Sequence, residues 1–221
     1  MERTVPTITA TPDRSQVAYR GRFAEPVFAV LGNPASLYTN LLRHLRPFGA
    51  AVDSLSINVT VLAEANVVCY LAFGHVRVRL DNLEVFFKDV PDAETIRGVL
   101  NGAFAAMQDT DKSLVPVAHE GIALIWARLD EPFSSYIRRF VTIPEGFTHA
   151  KPSLEIIEFS DDRSPIGTVR LEEAAGIPEG LFMRSTFDLG SSPPDPQNLI
   201  STFTERLNLR FAALSLKLQA T

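Results

Sequence analysis

Four histidines, His44, His75, His119 and His149, stand in four separate segments with no His-x-His or His-x-x-x-His spacing. A metal centre would have to be assembled wholly by the fold, and none is expected. His119 is followed directly by Glu120 on a strand-like run that also holds Trp126. An imidazole beside a carboxylate can act as general acid or base when both line one pocket; the plainer alternative is a surface histidine at a strand bend. His75, Arg77, Arg79 and Asp81 fall on one face of another strand-like segment. Two guanidiniums at that spacing can hold a carboxylate or phosphate bidentately, although a solvated sheet face explains the same pattern without a ligand. The candidate ligand-binding residues are therefore His119, Glu120, Arg77 and Arg79. Arg138 and Arg139 end a short helix-like segment, where the negative end of the helix dipole accounts for one of them.

Other reactive side chains lack the context their chemistry needs. Glu158, Asp161 and Asp162 supply fewer ordered oxygens than a cation loop requires and read as a polar turn. Serines occur in pairs, Ser134-Ser135 and Ser191-Ser192, but none lies in Gly-x-Ser-x-Gly, and neither a dinucleotide nor a P-loop glycine pattern is present. The single cysteine, Cys69, sits in the apolar run Val67-Val68-Cys69-Tyr70-Leu71 and reads as a small core residue in a reducing compartment. No catalytic residue and no cofactor are assigned on these grounds.

Phenylalanine is frequent, with fifteen residues against one Trp. Phe86 and Phe182 fall opposite the apolar side of their strands, which implies that the nominally wet face is covered, first by packing between two parts of the chain and second by a partner copy. They are the candidate interface residues.

The elements that must position these groups follow from periodicity. Residues 1–22 are polar, broken by Pro6 and Pro12, and read as a flexible N-terminal tail or a loosely paired edge strand. Phe23 to Leu31 reads as a strand, and Asn33-Pro34 opens a helix with Leu37, Leu41, Leu42 and Leu45 on one stripe. Leu55 to Val61 alternates strictly and is the clearest strand; Val67–Phe73, Val76–Leu80 and Leu83–Lys88 follow. Pro91-Asp92 then opens a helix carrying Ile96, Val99, Leu100, Phe104 and Met107, in which Gly98 and Gly102 permit close approach of another backbone. A long strand-like run, Leu114 to Leu129, leads to a short helix around Pro132 to Val141. Three further strands come next, over residues 154–159, 166–171 and 181–187, and a last helix runs to about Leu218.

Pro194-Asp195 precedes Leu199, Phe203 and Leu207 at the offsets seen after Pro91-Asp92. The repetition predicts an α+β fold of two related units of helix, antiparallel strands and long helix, spanning 23–129 and 130–221, packed together. With 221 residues, 46% of them hydrophobic and 21% charged, the chain has the composition of a folded globular protein. A net charge of −5 argues against general nucleic-acid binding. The N-terminal segment lacks an apolar signal region and no stretch is long enough to span a bilayer, so the expected location is the cytoplasm.

The strand pair Val76 to Lys88 followed by a helix, the stretch Phe187-Asp188-Leu189, and the closing amphipathic helix with Phe211 resemble a sporadically distributed prokaryotic family of uncharacterised proteins. In that family the last strand ends near an aspartate and the final helix carries a phenylalanine before an apolar close. The likeness covers the chain from about Phe23 onward, without the family's more typical Trp and Tyr positions, and implies a fold rather than an activity. The expected function is a non-catalytic protein-interaction or ligand-binding module, acting as a homodimer or with a protein partner. The alternative is a small-molecule site, possible as an enzyme, in a cleft between the units.

Overall fold

The computed structural model describes residues 7–143, 151–191 and 195–219. His149 and the breaker Ser192-Pro193-Pro194 lie outside the described residues. In chain order the elements are β1 (Ile8–Phe23), α1 (Ala29–Gly32), α2 (Pro34–Leu45), β2 (Leu55–Asn58), β3 (Asn66–Leu71), β4 (Gly74–Arg79), β5 (Asn82–Phe87) and α3 (Ala93–Thr110), then β6 (Pro116–Leu129), α4 (Phe133–Ile137), β7 (Leu154–Phe159), β8 (Pro165–Glu173), β9 (Leu181–Gly190), α5 (Pro196–Ala213) and β10 (Leu216–Leu218). Helices mix with antiparallel strands, so the class is α+β.

The chain divides into two compact units whose bounds are not contiguous: a larger one, Val17–Gly121 with Asp188–Thr202, and a smaller one, Met1–Gln16 with Ile122–Phe187 and Phe203–Thr221. These bounds differ from the contiguous 23–129 and 130–221, because β1, β6, β9 and α5 each give residues to both units. In the larger unit the strand order is β2-β3-β4-β5-β1. Val67, Cys69, Val76, Val78, Leu83, Val85 and Phe87 face inward and pack with Leu37, Leu41 and Leu45 of α2 and Val99, Leu100, Ala103, Phe104 and Met107 of α3. Asn33 and Asp92 cap the two helices by accepting from the backbone N–H groups of Ser36 and Thr95 at 3.3 and 2.8 Å. The expected close approach at α3 is present: a Cβ at Gly102 would meet the His44 carbonyl oxygen at 3.0 Å. Cys69 is fully buried, which pushes its thiol up to about 11.

In the smaller unit the order is β6-β9-β8-β7, over a core of Ile125, Phe133, Tyr136, Leu171, Leu181, Met183 and Phe211. Arg210 of α5 is buried beneath this sheet at 5% exposure. Its guanidinium donates to both oxygens of Glu158 at 2.8 and 2.6 Å, to the Thr168 carbonyl at 2.9 Å and to Ser185 Oγ at 3.0 Å, and its Cζ lies 3.9 Å from the centre of the Phe187 ring. Four acceptor atoms on three residues, with a ring face, replace the water a guanidinium needs.

Several sequence expectations are corrected. Residues 8–22 are not a tail: they form most of β1, pairing antiparallel with β5 from Val17 to Arg22 and parallel with β10 from Ile8 to Ala10. Cross-strand hydrogen bonds compensate for the polar composition. The strand read from Phe23 to Leu31 ends at Phe23, and Ala29–Gly32 is a helical turn. The clearest alternation, Leu55 to Val61, supplies only the four-residue edge strand β2. The last helix stops at Ala213, after which Ser215 takes a φ of 52° and the chain turns into β10. No helix of the described residues is long and apolar enough to cross a membrane.

Candidate functional site

The hairpin between β4 and β5 sets the site. Its register places Arg77 opposite Glu84 and His75 opposite Phe86, and β1 then places Arg20 opposite Glu84 from the other side. Residues 75, 77, 84, 86 and 20 therefore share the face of the sheet turned away from the core, while 76, 78, 83, 85 and 87 point inward.

Glu84 is the centre of this face, with its side chain 15% exposed. It accepts from His75 Nε2 at 3.2 Å, Arg77 Nη1 at 3.1 Å and Arg20 Nη2 at 3.3 Å. Arg20 also reaches Glu120 Oε2 through Nη1 at 3.4 Å. The His75 hydrogen bond, then those from Arg20 and the charges of Arg77 and His75, hold the Glu84 carboxyl down to about 2 against the opposing effect of burial. Beside the cluster Tyr70, His75 and Phe86 form an aromatic row, with ring centres 6.2 and 5.2 Å apart.

This arrangement splits the predicted residues. Arg77 and Glu120 come together through Arg20 and Glu84. Arg79 lies on the same face but is exposed at the end of β4, opposite Asn66. His119 goes elsewhere: it is 3% exposed, inside the core, where its Nδ1 shares a 2.7 Å hydrogen bond with Tyr19 Oη and its ring stacks on Tyr19 at 5.9 Å. Burial pushes the Tyr19 phenol well above its ordinary range. The strand period of two sends neighbours to opposite faces, so His119 and Glu120 do not line one pocket and the acid–base pair is corrected. The surface-histidine alternative is corrected with it.

For Arg77 the carboxylate within reach is the protein's own Glu84. Asp161 and Asp162 form the β7–β8 turn, in which Asp162 accepts from Ser160 and from the Ser164 backbone N–H, while Glu158 serves Arg210. Among the described residues no group of three or more His, Cys, Asp or Glu side chains is placed to hold a metal. Phe86 is half-buried against His75; Phe182 is half-buried against Trp126, 4.8 Å between centres, with the Arg14 guanidinium 3.8 Å from the Trp126 ring centre.

Sequence reading missed Arg20, Glu84 and Arg210. Glu84 was accessible from the hairpin, since the turn between Arg79 and Asn82 fixes its pairing with Arg77. Arg20 was hidden by the polar composition of residues 1–22, although Val17, Tyr19 and Gly21 alternate with Ala18, Arg20 and Arg22. Nothing in the sequence placed Arg210 under the sheet.

A pocket of about 670 Å³ opens in the smaller unit, lined by Lys151, Arg170, Glu172, Glu173 and residues 174–178. Its cations pair within the wall, Lys151 with Glu173 at 3.0 Å and Arg170 with Glu172 at 2.8 Å. It contains none of the predicted site residues. Compared with known proteins, the chain matches no family model and no curated protein.

Proposed function

We propose that this chain is a non-catalytic module that works by contact with another polypeptide. The observation that carries the reading is a set of exposed apolar side chains on and beside the edge strand β2: Ile57 on the strand, Val59 and Val61 just after it, and Val52 and Leu62 in the 3-10 turns that flank it in sequence. An edge strand offers unpaired backbone groups as well, and the two together suit an added strand rather than a small solute. Internal pairing supports the same reading, because Glu84 occupies the guanidinium of Arg77 and Tyr19 engages His119.

The further parts of the reading have their own support. In each half of the chain an antiparallel meander precedes an 18-residue helix, α3 or α5, which favours two related units and accords with the resemblance to the sporadically distributed prokaryotic family. The single cysteine, Cys69, is buried and suits the reducing cytoplasm. The net charge of −5 favours a protein partner, or a second copy, over nucleic acid.

Native mass spectrometry over a concentration series tests the proposal. The expected result is an integral multiple of the chain mass with no small molecule attached. A reproducible small adduct lost on denaturation would overturn it in favour of the ligand-binding alternative, with the pocket at Arg170 and Glu173 as the first place to look. A monomer at every concentration would exclude a second copy as the partner and leave a different polypeptide in that place.

A further inference from the structure

We infer that the outward face of the larger unit's sheet docks an acidic, extended segment of another polypeptide through Arg22 and Arg79. This inference rests on the interaction reading above and gives the partner its chemistry. The register lines up one row of side chains across five strands. Asn58 of β2 lies opposite Asn66 of β3, Asn66 opposite Arg79 of β4, and Asn82 of β5 opposite Arg22 of β1. Arg79 and Asn82 flank the two-residue turn Leu80-Asp81, which closes the row. Its members point away from α2 and α3, because their strand neighbours Val67, Val78, Leu83 and Phe23 lie in the core.

Internal pairing uses the cations of the adjacent row and leaves this one open. There Arg77 and Arg20 both donate to Glu84, and Arg20 also reaches Glu120. Arg22 and Arg79 are exposed and enter no ion pair and no side-chain hydrogen bond among the described residues. Asp81, the carboxylate of the turn, accepts from Asn82 Nδ2 at 2.6 Å rather than pairing with either guanidinium. On these strands and their turn, Arg20, Arg22, Arg77 and Arg79 outnumber Glu84, Glu120 and Asp81, on a chain whose net charge is −5. Charge complementarity selects an anionic occupant for this face.

Spacing and the neighbouring carboxylates narrow the class. Adjacent strands run about 4.8 Å apart, so Arg22 and Arg79, with β5 between them, stand about 10 Å apart at the backbone. Their long stems let the guanidiniums close on carboxylates about 7 Å apart, the repeat of alternate residues along one side of an extended chain. A nucleic-acid strand needs cations along its whole track, whereas Glu84 and Glu120 stand in the adjacent row. Two separate guanidiniums suit a pair of carboxylates, each held by charge-assisted hydrogen bonds. Both are exposed, so the contact is weak and falls with salt.

Fluorescence anisotropy of a labelled oligoglutamate, titrated with the full chain, tests the inference. Wild type should bind it saturably, and less tightly as salt rises. Arg22→Gln/Arg79→Gln should weaken binding about tenfold or more. Arg43→Gln/Arg46→Gln, which removes the same charge at the end of α2, should leave it within about twofold. Far-ultraviolet circular dichroism on each variant verifies the fold, and the single changes Arg22→Gln and Arg79→Gln, each expected to weaken binding about threefold, replace the double variant should it unfold. No saturable binding, or an equal loss in both double variants, overturns the inference. Tighter binding of a labelled oligothymidylate of the same length overturns it too, by making the face a nucleic-acid site. Native mass spectrometry judges the interaction reading separately: an integral multiple of the chain mass there, with no oligoglutamate bound here, would reject the docking face alone.

Discussion

Replacing Glu84 by Gln keeps the shape of the side chain but removes the carboxylate that His75, Arg77 and Arg20 share. The carboxyl, ordinarily near 4.5, is held down to about 2 in the fold. As pH falls, the unfolded chain takes up this proton first, so the stability that the charge contributes is complete above 4.5 and is lost between 4.5 and about 2. The difference corresponds to a ceiling on the order of 3 kcal/mol. Arg20 and Glu120 are about two-fifths exposed, and solvent screening there reduces the expectation to about 1–2 kcal/mol. The assay is urea unfolding of wild type and Glu84→Gln across the range from about pH 7 to about pH 2.5. The stability gap should be widest at the neutral end and close toward the acid end. The helix-capping carboxyl of Asp92 and the turn carboxyls of Asp111 and Asp162, which hydrogen bonds also hold below their ordinary value, are present in both proteins and cancel in the comparison. A gap that stays constant with pH would refute the account of Glu84 as a charge held by its neighbours.

Glu158→Gln should cost about 3 kcal/mol in the same assay, because it leaves the buried Arg210 guanidinium without its carboxylate. The double variant Glu158→Gln/Arg210→Met should lose less than the sum of the two single changes, a coupling that a double-mutant cycle measures directly. Gly167→Ala should destabilise by about 2–4 kcal/mol, since the added Cβ would collide with the Arg210 guanidinium and with the Thr186 carbonyl oxygen; thermal unfolding reads the loss. Tyr19→Phe should cost about 1–3 kcal/mol by removing the buried hydroxyl that bonds His119, and a stability equal to wild type would show that His119 is satisfied without it.

Much of the fold was legible because local periodicity and capping chemistry act over a few residues. Asn33-Pro34 and Asp92 mark helix starts that the structure keeps, and the hairpin of β4 and β5 follows from its short turn. The failures share a cause. Leu55 to Val61 alternates well, yet alternation reports propensity and not the presence of a partner strand beyond Asn58. The tail reading failed because the backbone hydrogen bonds of β1 come from β5 and β10, far away in sequence. At the site, sequence adjacency made a pair of His119 and Glu120, and the pleat separated them.

The sequence by itself determined the α+β class, the inward stripes of α2 and α3, the burial of Cys69 and the shared face of His75, Arg77 and Arg79, since each depends on a period of 3.6 or 2 and on nearest neighbours. Only the tertiary structure decided that Arg20 crosses from β1 to Glu84, that Arg210 lies beneath β7, β8 and β9, and that His119 turns inward to Tyr19. Those contacts join residues from tens to a hundred positions apart. They form because a buried charge or imidazole requires a partner wherever the strands bring one within reach, and strand order, unlike strand period, is not written in any local pattern.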